Sequence, residues 1–283
     1  IGMSHSIYHI TLDLGQCEKQ IVLKEEELPH QPFFCQLLKK LNWPSYQSIH
    51  VEDQLKSWEI SEYLGPKSVQ DHLLISDIDF NNLVPQLAAH AALGDVLGRG
   101  DRHLENYMVK DKQLLPIDIS YLFWPDNEHW TQEYVKGGMY EINALIYFEN
   151  GLKNQDVFFH EYRQTMRQLV EKKELILSVM DQFFSKQDQQ TRNRMAYIED
   201  RFNNIDTFIE TQVSAYKESL TIFNERLTVK TDLENLYARD PETVFNHPKA
   251  KMYYLANKDR CSSFYLISEN DFLELKGFIS RHS

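Results

Sequence analysis

Gly98-Arg99-Gly100-Asp101-Arg102-His103-Leu104-Glu105-Asn106, followed by Leu114-Leu115-Pro116-Ile117-Asp118-Ile119, is the stretch whose reading decides the fold. Ahead of it, Phe80 to Leu97 carries apolar residues through most of two helical faces, which predicts a buried helix ended by Gly98 and Gly100. After it, Asn106 to Val109 and Leu114 to Ile119 flank Lys110-Asp111-Lys112, the pattern of a small hairpin. Such a hairpin would bring Asn106 and Asp118 to adjacent strand ends.

The residue types suit phosphoryl transfer. Magnesium takes hard oxygen ligands, one or two carboxylates together with phosphate oxygens. Asn106 would supply a neutral oxygen and Asp118 a charged one. Asp101, in the loop with Arg102 and His103, can accept or orient the proton of an attacking hydroxyl, and His103 could share that role. A loop carrying Asp, Arg and His is by itself most often a solvated loop. The spacing of helix, loop, hairpin and apolar-flanked acid is far more restrictive. His72, His90, His129 and His160 lack metal-ligand spacing and read as core or surface residues.

Working outward, the amino-terminal segment is strand-rich. Ile7 to Leu12, Lys19 to Lys24, Ser48 to Val51 and Ser57 to Tyr63 read as strands, with a turn at Gly15. Phe33 to Leu41 has helical spacing and is expected to stop at Trp43-Pro44. Beyond the hairpin come a Trp-rich loop from Trp124 to Gly138 and helical patterns over 139–149, 155–184 and 191–227. Ser268-Glu269-Asn270-Asp271 reads as the start of a final helix. The stripe from Met195 to Val213 is expected to pack in the core, with a docking face for a helical partner over 191–230 as the alternative.

This order predicts an α+β, two-lobed architecture: a small β-rich lobe (3–65), a mostly helical lobe (66–190) and a helical completion or extension (191–283). With 283 residues and 16 Phe and 15 Tyr, the chain can bury a substantial core. Its net charge of -12 disfavours nucleic acid as a partner and diffuse adsorption to anionic membranes. No run of about 18 apolar residues predicts a membrane span. Ile1-Gly2-Met3-Ser4 does not read as a signal peptide. The three cysteines, at 17, 35 and 261, form no zinc pattern and fit reduced thiols in a cytoplasmic setting.

The Gly98 to Asn106 segment and Ile117-Asp118-Ile119 resemble the catalytic and metal-binding loops of the phosphoinositide 3-/4-kinase superfamily, whose pattern is G-x-GDRH-x-x-N and then an apolar residue, Asp and Phe. The close match covers about 25 residues, and Ile119-Ser120 replaces the family's Phe-Gly, so a switch based on that Phe does not transfer. The resemblance implies a kinase fold using ATP and Mg²⁺ or Mn²⁺, with catalytic roles for Asp101, His103 and Arg102 and the metal on Asn106 and Asp118. It also implies a strand lysine for the phosphates, for which Lys24 is the first candidate and Lys19 the second, with an acidic partner among Glu25, Glu26 and Glu27, of which Glu27 is favoured. Glu62-Tyr63-Leu64 would form the adenine-binding hinge, and Ser4 and Ser6 would lie in the phosphate-covering loop.

The resemblance favours phosphatidylinositol as acceptor, at a membrane surface. No basic cluster lies between Tyr121 and Tyr140, which disfavours headgroups already bearing phosphates. The same segment also resembles HipA-type protein kinases, with Pro116-Ile117-Asp118 matching their metal motif, which makes a protein serine/threonine kinase the alternative. A nucleotide-binding pseudokinase or adaptor, and the dehydratase half of a class II lanthipeptide synthetase, are weaker readings. Compact kinases of this kind occur among effectors that intracellular bacteria inject, so action in a host cytosol is a further expectation.

Overall fold

The computed structural model describes residues 7–13, 15, 18–52, 56–69, 71–72, 80–100, 102–119, 122–123, 154–185, 189–257 and 268–282. Asp101, Ser4, Ser6, the Trp-rich loop and the helix expected over 139–149 lie outside these residues. The chain divides into two compact units, Ile1–Val213 and Ser214–Ser283.

The first unit opens with strands β1 (Ile7–Asp13) and β2 (Glu18–Glu25), helix α1 (His30–Lys40), then β3 (Ser48–Glu52) and β4 (Ser57–Glu62). The four strands form an antiparallel sheet in the order β1-β2-β4-β3. Gly15 supports the β1–β2 turn with φ 77°. Alternation along the strands sorts the side chains. One face carries Lys24, Glu59 and Ser61, all buried; the other carries Tyr8, Leu23, Ile49, Val51 and Ile60, which are half-buried or exposed. The polar face of this sheet therefore looks inward. Helix α1 is ended by Asn42 in the left-handed conformation, φ 60°, with the Trp43 N–H donating to the Leu38 carbonyl at 2.9 Å. The stop expected at Trp43-Pro44 is thus made one residue earlier, by an asparagine whose short side chain tolerates that conformation.

After a 3₁₀ turn (Phe80–Leu83), α2 (Val84–Leu97) is buried along nearly its whole length, including Leu87, Ala91, Leu93, Val96 and Leu97. It ends at Gly98, φ 61°, where the Arg99 N–H donates to the Gly94 carbonyl at 2.7 Å. Strands β5 (Tyr107–Lys110) and β6 (Gln113–Pro116) form the expected hairpin. Its two turn residues, Asp111 and Lys112, have φ 52° and 63°, the signs of a type I′ turn. Helices α3 (Gln155–Glu171), α4 (Lys173–Phe184) and α5 (Gln189–Asn203) follow. Asp95 of α2 joins two of these segments, accepting from the Tyr162 hydroxyl at 2.6 Å and pairing with Arg102 at 2.8 Å. Arg201 of α5 donates to the Val96 carbonyl at 2.9 Å.

Helix α6 (Ile205–Arg239) contributes to both units. Ile198, Phe202, Phe208, Ile209 and Val213 are buried, so these residues of the stripe read in the sequence pack in the core. The second unit adds α7 (Pro241–Asn246), α8 (Pro248–Asn257) and α9 (Glu269–His282) around Val229, Leu233, Leu236, Val244, Leu275 and Phe278. Ser268 caps α9 by accepting the Asp271 N–H at 3.2 Å, while the Asp271 carboxylate pairs with Lys249. The α+β class and the order of a small sheet before helices match the sequence reading. Among the described residues, no helix is long and apolar enough to cross a membrane.

Gly94 lies inside α2, where alanine ordinarily stabilises a helix by about 1 kcal/mol. Here an added Cβ would meet the Arg102 Nη1 at 2.8 Å and Cδ at 3.1 Å, and Arg102 is fixed by Asp95 and the Ala91 carbonyl. The Gly94→Ala variant is expected to lose about 1–3 kcal/mol, read as a fall in Tm of several degrees by calorimetry.

Candidate active site

The site is assembled where β2 and the end of α1 nearest His30 meet the hairpin. Lys24 points from the polar face of the sheet, and its ammonium donates to Asp118 Oδ1 at 2.6 Å across 94 residues of sequence. It also pairs with Glu26 at 2.8 Å. Burial pulls the Lys24 ammonium down, but the charges of Asp118 and Glu26 and the hydrogen bonds to them outweigh it, and its pKa is raised. The expected partner Glu27 is replaced by Glu26. Residues two apart on an extended strand share a face, so Glu26 turns inward beside Lys24, whereas Glu27 is exposed and makes no ion pair among the described residues.

Asp118 follows β6 in the left-handed conformation, φ 52°, which aspartate tolerates better than most residues. Its side chain is 42 % exposed. The hairpin brings its two ends together, with the Ile117 N–H donating to the Asn106 carbonyl at 2.9 Å. Asn106 is buried in a 3₁₀ turn (Leu104–Asn106) just before β5. His103 is partly exposed, with Nδ1 3.6 Å from Glu105. Arg102 is taken into the helical lobe: it is buried, paired to Asp95 at 2.8 Å and donates to the Ala91 carbonyl at 3.3 Å. Its place is that of a brace beneath the loop, and the catalytic role expected for it is corrected on that ground.

Three features of this neighbourhood had no signature in the sequence. Gln31 of α1 is buried, and its Oε1 accepts the Ile119 N–H at 3.0 Å, fixing the backbone next to Asp118. Phe123 packs among Phe33 and Phe184, with ring centroids 5.7 and 4.9 Å away, and so anchors the chain five residues after Asp118. Glu59 lies opposite Lys24 in the β2–β4 register and accepts from the Ser61 hydroxyl at 2.6 Å. Burial pushes the Glu59 carboxyl up to about 7, against Ser61 and Lys24 and with help from Glu26 and Asp118.

At the expected hinge, the Glu62 N–H donates to the Gln47 carbonyl at 2.9 Å and the Tyr63 N–H to the Gln20 carbonyl at 3.3 Å. Both donors are used by the protein itself. The Glu62 carboxylate accepts from Lys110 at 2.7 Å, and the Tyr63 ring stacks on His9. The Leu64 N–H, by contrast, has no partner among the described residues. Val22, two residues before Lys24 on the same face, is half-buried. His90 is a core residue as read: it is buried, bonded to the Leu114 carbonyl at 3.0 Å, and burial holds it down at about 4. Cys35 is likewise buried, with its thiol pushed up to about 12 by burial.

No group of three or more His, Cys, Asp or Glu suited to a metal exists among the described residues. A carboxylate at 118 and a carboxamide at 106 nevertheless fit a hard divalent ion that draws its remaining ligands from phosphate and water.

No family model matches the chain, and no curated protein matches it in sequence. Among solved structures it is similar to the proinflammatory kinase CtkA of Helicobacter pylori, at 14% identity and a TM-score of 0.45, over 76% of this chain and 94% of that one. It is also similar to a complex of HipA, HipB and operator DNA from a toxin–antitoxin system of Shewanella oneidensis MR-1, at 14% identity and a TM-score of 0.42, over 78% of this chain and 67% of that one. Neither belongs to the phosphoinositide 3-/4-kinase superfamily, and with no family model matching, the membership implied by the GDRH segment is overturned. The phosphatidylinositol preference rested on that membership and falls with it.

Glu59 ties the site to pH. Its carboxyl holds its proton to about 7 in the folded chain, well above the unfolded value, so its own contribution to stability is greatest at acid pH and declines as pH rises to 7. Glu59→Gln, always neutral, is expected to escape this decline: its Tm relative to wild type should rise between pH 5 and pH 8 in thermal melts. A Tm difference independent of pH would contradict the assignment.

Proposed function

We propose that the chain is an ATP-dependent protein kinase that transfers the γ-phosphate to a serine or threonine hydroxyl of a protein acceptor. The observation that carries this reading is the Lys24 ammonium held between Glu26 and Asp118, at 2.8 and 2.6 Å. A buried strand cation meeting an apolar-flanked acid from the second lobe is an arrangement suited to the phosphates of a metal-bound nucleotide.

Each residue then has a task. Lys24 binds phosphate oxygens, exchanging part of its contact with Asp118 for them. Asn106 and Asp118 would hold Mg²⁺, which when bound neutralises charge on the phosphates. Asp101 orients or deprotonates the acceptor hydroxyl, and the nearby His103 supports the same step. Val22 and the Leu64 N–H meet the adenine. A protein acceptor is favoured over a lipid by charge. The chain carries -12 overall, and 121–140 holds Asp126, Glu128 and Glu133 against Lys136, which repels an anionic bilayer and suits a basic peptide.

The test is transfer of label from γ-labelled ATP with Mg²⁺, offered a basic protein and phosphatidylinositol vesicles in parallel. Label is expected in the protein, or in the chain itself, and not in the lipid. Asp118→Ala and Lys24→Met should each reduce transfer by at least about 10²-fold, and Asp101→Asn by about 10²–10⁴-fold. Nucleotide binding without turnover under any condition would reject catalysis. Full activity in Asp118→Ala would leave the proposed metal position without support.

Gln31→Leu keeps the volume of the side chain but loses the acceptor for the Ile119 N–H. It is expected to raise the Mg²⁺ concentration needed for half-maximal activity several-fold, with a smaller change in the Km for the acceptor. A change in acceptor Km alone would contradict this.

A further inference from the structure

Arg99 occupies the unspecified position of the G-x-GDRH stretch and is 4% exposed. Its Nη1 donates to the Tyr107 hydroxyl at 3.1 Å. Its Nε and Nη2 are buried without a hydrogen-bond partner, and it has no ion pair among the described residues. The guanidinium lies instead against two aromatic rings, 5.6 Å from the centre of Phe34 and 5.0 Å from that of Tyr107. Arg102, three residues on, is neutralised by Asp95. Of the two arginines in this stretch, the fold therefore pairs one and leaves the charge of the other uncompensated. A buried cation without a counter-ion is strongly unfavourable, and two ring contacts and one neutral hydrogen bond offset only part of that cost.

The position of Arg99 gives its charge a use. Tyr107 follows Asn106 directly and stands opposite Pro116 in the first rung of the hairpin, two residues before Asp118. Phe34 lies one turn beyond Gln31, which holds the Ile119 N–H. The charge also reaches Tyr46, whose hydroxyl donates to the Pro116 carbonyl: burial raises that hydroxyl well above its ordinary value, and Arg99 pulls against the rise. The guanidinium thus stands behind the chain segments that carry Asn106 and Asp118. In front of them a single ammonium, Lys24, faces the acids Glu26 and Asp118. A nucleoside triphosphate stays anionic after binding one Mg²⁺, so it would enter a cleft whose acids outnumber that ammonium.

We propose that Arg99 is a positioning residue for nucleotide phosphate: its unpaired guanidinium, fixed behind the base of the hairpin, offsets the negative charge of the bound phosphates without touching them, at the expense of stability. This role rests on the kinase reading. Its strength grows with the number of phosphates on the ligand. At a separation on the order of 10 Å, about two rungs of a hairpin, a buried unit charge changes the affinity for another several-fold. Salt screens a buried charge far less than an exposed one.

The test is calorimetric titration of the full chain, as wild type, Arg99→Met and Arg99→Lys, with adenosine, ADP and ATP in the presence of Mg²⁺, together with thermal melts. Methionine keeps an unbranched side chain and removes the charge. Arg99→Met is expected to weaken ATP at least about fivefold and ADP less, with adenosine unchanged. The ATP deficit should persist at about 0.5 M salt. The Tm of Arg99→Met should equal or exceed that of wild type, since an apolar side chain replaces a buried unpaired charge. Arg99→Lys should keep the wild-type affinity for ATP. Equal losses for adenosine and ATP, an Arg99→Lys loss as large as that of Arg99→Met, or an Arg99→Met chain that does not fold would each assign Arg99 to packing and overturn the proposal. Unchanged ATP affinity in Arg99→Met would remove the role of Arg99 alone. A wild-type chain that binds none of the three ligands would sink the kinase reading and this role with it.

Discussion

One ammonium group organises the candidate site. Lys24 is almost withdrawn from water, and a cation so placed is costly unless it is paired and hydrogen-bonded. Glu26 and Asp118 meet that demand, the first from the same strand and the second from the far side of α2 and the hairpin. Because Asp118 is one of the two partners, the sheet and the helical lobe are held in register by the same contact that would receive a nucleotide. Glu59, facing Lys24 across the β2–β4 ladder, adds a third carboxyl, which burial raises to about 7. Partial protonation of this third acid near neutral pH lessens the repulsion that three full charges around a single cation would produce.

The loop bearing Asp118 is over-determined. Its own residue sits in left-handed backbone, the Tyr46 hydroxyl holds the carbonyl of Pro116, the Gln31 amide holds the N–H of Ile119, and Phe123 is locked among Phe33 and Phe184. Three of these four restraints come from α1 or the segment that follows it. In this chain, α1 contributes no acid to the Lys24 cluster; it contributes a neutral acceptor. That division lets α1 set the position of the Asp118 loop without adding a further charge to a crowded site.

The catalytic-loop side is braced differently. Arg102 is drawn beneath the loop by Asp95, which also binds Tyr162, so the helix that carries Asp95 and the loop that follows it act as one piece. Gly94 exists in that helix because the arginine lies against its backbone. An arginine within a motif that reads as catalytic thus serves packing.

The sequence by itself determined the local elements: the strands from their alternation, α1 and α2 from their apolar spacing, the hairpin from two short apolar runs around Asp111-Lys112, and with them the pairing of Asn106 with the Asp118 loop. These are short-range properties, fixed by backbone geometry within a few residues. The kinase resemblance singled out Lys24, whose burial against Glu26 and Asp118 no local pattern signalled. The GDRH stretch misled as to family, since about 25 residues constrained by chemistry can resemble more than one line of kinases. Only the tertiary structure decided that Glu26 and not Glu27 faces Lys24, that Asn42 ends α1, that Gln31 reaches Ile119 and that Glu59 is buried beside the site. Each depends on strand parity past a bend, on a left-handed turn, or on contacts between residues distant in the chain, and such contacts are chosen by packing of the whole core rather than by any local preference of the chain.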